Sequence, residues 1–152
     1  MKFLVFGIGN PGRQDDALGI LLAEKIEKWI KKNNIKNVDT DSNYQLMAED
    51  AYTISGYDRV YFADAAKGDI RDFRINRVES SSTISFSTHS MSPGSVTALC
   101  GELYNKSPEA YTLEIKGYEW EVNGELTEKA KQNLEKALEA LKESIKKGMV
   151  FE

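Results

Sequence analysis

The 152-residue sequence contains one cysteine, one histidine and three prolines. Cys100 has no partner for an internal disulfide, and this cysteine usage fits a reducing compartment. Positive charge is not in excess. Twenty Lys and Arg face twenty-four Asp and Glu, for a net charge of -4. That balance argues against a nucleic-acid partner, which calls for a basic face. No apolar run approaches the ~20 residues of a membrane span. The opening run, Phe3 to Phe6, ends in a glycine-rich turn rather than a signal-peptide cleavage site. The expectation is a cytoplasmic protein with no membrane association. The 41% hydrophobic and 10% aromatic content are values of a globular chain, and residues 1–152 read as one domain.

Residues 3–8, FLVFGI, form a short apolar run closed by glycine, the pattern of a buried central strand. Leu18, Leu22, Ile26 and Trp29 recur at helical spacing and predict an amphipathic helix over 16–32. A short strand is expected from Val38 to about Asp41, and a second helix over 45–54, stopping at Gly56. Val60-Tyr61-Phe62-Ala63 reads as a strand ending at Asp64. Phe73, Ile75 and Val78 suggest another. Six serines within Ser80–Ser90 predict a loop. A helix follows Pro93 to about Tyr104, and a strand runs through Tyr111, Leu113 and Ile115. A long terminal helix is opened by Thr127 as N-cap. Alternating strands and helices imply a three-layer α/β/α domain with a central, mostly parallel sheet. Sites in such sheets lie beyond the carboxyl ends of the strands.

Gly7, Gly9 and Gly12 satisfy G-x-G-x-x-G between a strand and a helix, the dinucleotide-binding fingerprint, with Asp41 as a candidate ribose acid. Three features oppose that reading. Pro11 removes a backbone donor. Asp15 and Asp16 place carboxylates where a pyrophosphate would sit. The chain is also short for a cofactor domain plus a substrate domain. The same string, GIGNPG, resembles the opening of peptidyl-tRNA hydrolases, but residues 13–19 lack the histidine that family carries there.

Three residues have chemistry beyond packing. Asp64 ends an apolar strand and is flanked by Ala63, Ala65 and Ala66. His89 lies in the serine-rich loop. Together with Asp16 these residues make an oxygen, oxygen, nitrogen donor set. Such a set suits a divalent transition ion with open positions. For each there is a plain structural alternative: turn or helix-end capping for the aspartates, and a surface position for His89. Gln45 and Glu49, one helical turn apart, either line a cleft or form a solvated face. Cys100, within an apolar helix, is expected to be buried and inert.

Beyond these readings, the sequence resembles the hydrogenase maturation proteases. The segments that carry the resemblance are Gly7-Ile8-Gly9-Asn10 with Arg13, Asp15 and Asp16; Tyr44 to Glu49; Asp58 to Ala65; Thr88 to Pro93; and Asn123 to Thr127. They occur in order along nearly the whole chain. The resemblance implies a twisted α/β/α sheet of the phosphorylase/hydrolase-like kind. It also implies an aspartyl peptidase-like endopeptidase that removes a C-terminal extension from the nickel-loaded precursor of a NiFe-hydrogenase large subunit. By the same resemblance, Asp16, Asp64 and His89 contact metal, and Asp16 and Asp64 are catalytic. The nickel belongs to the precursor, and no permanently bound cofactor is expected. Two departures stand out. Ala17 replaces a glycine usual in the family, and residues 66–71, AKGDIR, replace a segment of small residues with a proline, so that a membrane-type or hydrogenase-like subunit is a candidate substrate. A non-enzymatic nickel-site chaperone is the alternative function.

Overall fold

The computed structural model describes residues 1–79 and 91–150. Its five-stranded sheet has the order β2-β1-β3-β5-β4. The strands are β1 (Phe3–Ile8), β2 (Val38–Asn43), β3 (Arg59–Ala66), β4 (Phe73–Arg77) and β5 (Glu109–Lys116). All pairings are parallel except that of β4 with β5. The helices are α1 (Leu18–Lys32), α2 (Asp50–Ile54), α3 (Pro93–Tyr104) and α4 (Glu128–Val150), with a 3-10 turn at Gln14–Ala17 ahead of α1.

Strand alternation sorts the core into two layers. Phe3 and Val5 of β1, with Tyr61 and Ala63 of β3, pack beneath α1 and α4. Leu4, Phe6 and Ile8, with Val60 and Phe62, pack beneath α2 and α3. Every residue of β1 is buried, as a central strand covered on both faces requires. α1 approaches the sheet closely because Gly19 has no side chain: a Cβ there would lie 2.3 Å from the Ala63 carbonyl oxygen. Along α4, Leu134, Leu138, Leu141 and Ile145 are buried at helical spacing. Thr127 caps α4, its Oγ1 accepting from the Ala130 N–H at 3.3 Å.

The chain leaves β1 toward β2 on one side and returns to β3 on the other. This reversal of strand order opens a crevice at the carboxyl ends of β1 and β3.

Three expectations are corrected. The helix expected over 45–54 is only Asp50–Ile54. Asp50 accepts from the Met47 N–H at 2.8 Å, forming a turn that starts the helix late. Gln45 and Glu49 therefore do not share a helical face. β3 does not end at Asp64, because Ala65 and Ala66 continue to pair with Ile115 and Lys116. β2 runs past Asp41 to Asn43. Its polar residues are tolerated because this is an edge strand, mostly exposed.

Candidate active site

Gly9 follows β1 with φ +142°, a conformation open to glycine and strained for other residues. A Cβ there would also lie 2.1 Å from the Asp16 carbonyl oxygen. This close approach lets the chain double back so that Asp16 sits over the strand end. The Asn10 N–H donates to Asp16 Oδ2 at 2.9 Å. The glycines of the apparent dinucleotide fingerprint thus serve chain reversal and helix packing. Asp16 itself occupies an N–H that a phosphate would need.

Asp64 projects from β3 on the same face as Phe62, directly opposite Glu114 of β5. Burial pushes its carboxyl from the ordinary 3.8 up to about 7. The nearby charges of Asp16 and Glu114 act in the same direction, and a hydrogen bond from the Ala65 backbone opposes them. Glu114 is itself paired with Arg74 of β4.

Asp16 and Asp64 are brought together. Both line a cavity of about 380 Å³ whose walls include Gln45, Leu46, Phe62, Met91 and Glu114. Both also line a second cavity of about 410 Å³, with Arg13, Lys67 and Trp120. The carboxylate pair lies where the two cavities meet. The pair can hold a proton near neutral pH on Asp64 and offers oxygen donors to a cation. Among the described residues no three His, Cys, Asp or Glu side chains are grouped to hold a metal ion. His89 lies outside the described residues. Met91, two positions later, lines the first cavity, and its N–H donates to the Leu46 carbonyl at 2.9 Å. Gln45 also lines that cavity, whereas Glu49 does not.

Asp15 is wholly buried and has another role. It accepts from the N–H groups of Tyr118, Glu119 and Thr127 and from Thr127 Oγ1, at 2.7–3.2 Å. Gln14 Oε1 accepts from the Glu121 N–H at 2.9 Å, and the Gly12 carbonyl accepts from the Asn123 N–H at 2.9 Å. The loop carrying Asp16 is therefore fastened to the segment after β5. Ala17 has φ -78°, ordinary right-handed backbone in which alanine needs no glycine-like freedom. Cys100 is buried as expected, and burial pushes its thiol up.

Sequence reasoning did not single out Glu114, Lys67 or Trp120. Glu114 carried a weak signal, a charged residue between the apolar Leu113 and Ile115.

No family model matches the sequence, and no curated protein is significantly similar to it. Solved structures are similar over almost the full length. The NiFe-hydrogenase maturation protease HycI from Thermococcus kodakarensis KOD1 is 24% identical, with a TM-score of 0.75 over 95% of this chain and 92% of that one. The hydrogenase maturating endopeptidase HybD from E. coli is 20% identical, with a TM-score of 0.76 over 97% and 94%. The fold is that of the hydrogenase maturation proteases. No helix among the described residues is long and apolar enough to cross a membrane.

Proposed function

We propose that this chain is an endopeptidase that removes a C-terminal extension from the nickel-loaded precursor of a NiFe-hydrogenase large subunit. The observation that carries the reading is the convergence of Asp16 and Asp64 on one cavity, with the Asp64 carboxyl raised to about 7. Buried, perturbed carboxylates in a cleft are the material of general acid–base chemistry. The similarity in fold to maturation proteases supplies the substrate class.

In this reading the precursor's nickel is part of the substrate. Asp16 and Asp64 offer carboxylate oxygens and His89 an imidazole, a mixed set suited to such an ion. Contact with the ion reports that the precursor has been loaded. One aspartate then serves as base toward the attacking water, and Asp64, able to carry a proton near neutral pH, serves the leaving amine. The same fold and cavity also suit a cytoplasmic chaperone that binds the nickel site without cutting.

Mass spectrometry of a nickel-loaded precursor, incubated with the protein, separates the two. Loss of a C-terminal fragment only from the loaded form is expected. A precursor that stays intact while forming a stable complex with the protein would establish the chaperone instead.

A further inference from the structure

The second cavity has a chemistry of its own. Three different connections meet there: Arg13 from the turn after β1, Lys67 just beyond β3, and Trp120 beyond β5. Trp120 organises both cations. Its carbonyl accepts from Arg13 Nε at 3.2 Å, and its ring lies 4.8 Å from Lys67 Nζ, within cation–π range. Among the described residues neither Arg13 nor Lys67 makes an ion pair. The first cavity, in contrast, has Ile8, Leu46, Phe62 and Met91 in its walls and, among the described residues, no cationic side chain. The two cavities share Asp16, Asp64 and Ala65. A peptide held across the carboxylates would meet a cavity of mixed polar and apolar lining on one side and two positioned cations on the other.

Resting on the endopeptidase reading, we propose that the Arg13, Lys67 and Trp120 cavity is a specificity subsite. It takes a carboxylate-bearing residue of the peptide substrate beside Asp16 and Asp64. Arg13 keeps guanidinium N–H groups beyond the bonded Nε, and these can face a carboxylate in the planar, two-point manner that lysine cannot offer. Lys67 adds a second charge from the ring of Trp120. The carboxylate belongs either to an acidic side chain or to the free end of the chain. Both present the same group to the site.

Titration calorimetry on the full chain tests this with four acetylated pentapeptides. One has a central Glu and an amidated end, and its partner has Gln in place of Glu. The other two are all-alanine, one with a free carboxyl end and one amidated. At least one acidic peptide should bind about tenfold more tightly than its neutral counterpart, the ratio expected of a charge-assisted hydrogen bond. Which one does so distinguishes side chain from chain end. The Arg13→Gln, Lys67→Gln double variant should abolish the preference, and Lys67→Arg should retain it. Equal binding of acidic and neutral peptides, no binding of any of the four, or a preference that survives in the double variant would overturn the subsite. Precursor cleavage is read separately by mass spectrometry. Cleavage without acidic preference removes the subsite and leaves the peptidase standing. Acidic preference without cleavage does the reverse.

Discussion

Asp15 and Asp16 are adjacent, carry the same side chain and belong to the same 3-10 turn, yet they face different surroundings. Asp15 is enclosed and accepts four hydrogen bonds from the segment between β5 and α4. Asp16 is half-buried, accepts one from Asn10, and lines both cavities. A buried charge persists only where donors compensate its lost hydration, so Asp15 is committed to architecture. Among the described residues Asp16 has a single backbone donor and an open cavity before it, leaving it available for chemistry. Asp15 secures the loop, and Asp16 is the residue the secured loop presents.

The sharpest way to break this contrast is Asp15→Ala. It leaves three backbone N–H groups and the Thr127 hydroxyl without their acceptor. We expect a loss of ~3–5 kcal/mol in stability, the range for a broken buried charge network. Urea denaturation measures it. Amide exchange at Tyr118, Glu119 and Thr127 should accelerate before that of β1. A loss below ~1 kcal/mol would mean that water replaces the carboxylate, and that Asp15 is not the anchor.

Asp64 supplies the next comparison, because its burial is opposed by a backbone hydrogen bond from Ala65 rather than by the set of donors that surrounds Asp15. Its folded-state carboxyl titrates near 7 against 3.8 ordinarily. Between those values the folded chain holds a proton that the unfolded chain has lost. This contribution to stability therefore declines as pH rises from about 4 to about 7, then levels. Asp64→Asn removes it, so the variant should be more stable than the parent by ~1–3 kcal/mol at pH 8 and nearly equal to it at pH 4. Melting curves across that range decide. Glu114→Gln removes one of the charges that raises the Asp64 carboxyl, and the decline should then fall at lower pH. Parallel profiles for parent and Asp64→Asn would show that Asp64 titrates normally.

The sequence carried the two carboxylates' positions well, because both depend on local pattern. An apolar run followed by an acid marks the neighbourhood of a strand end, although β3 runs two residues past Asp64, and Leu18, Leu22 and Ile26 were buried as their spacing required. Long-range partners were beyond reach. Asp15 looked like a first-turn acid, and its four donors lie 103 to 112 positions away. Residues 45–49 have a helical composition, but Leu46 accepts from Met91 across the cavity and Asp50 starts the helix late. Tertiary bonding thus overrode propensity. Trp120 was invisible for the same reason, and Lys67 stood out only as part of the departing segment 66–71: their pairing needs β3 and β5 to be known as neighbours. The antiparallel edge formed by β4 likewise has no local signature.

The smallest expected change in stability is also the most informative about function. In Asp16→Asn the amide oxygen can still accept from the Asn10 N–H, so the turn keeps the bond that now orients the side chain. Asp16 also lies in the first turn ahead of α1, and the lost charge there is worth only ~0.3–1 kcal/mol through the helix dipole. The melting temperature should therefore move by a few degrees at most, in contrast to Asp15→Ala. Processing of a nickel-loaded precursor should behave otherwise. A neutral amide is a poor ligand for a divalent ion and cannot serve as base, and losing such a group typically lowers rates by ~10²–10⁴-fold. Both measurements belong on one preparation, with cleavage followed by mass spectrometry. A stable, inactive variant places Asp16 in the chemistry. A stable variant that still cleaves would leave Asp64 as the sole reacting carboxylate and reduce Asp16 to a partner of the Asn10 turn.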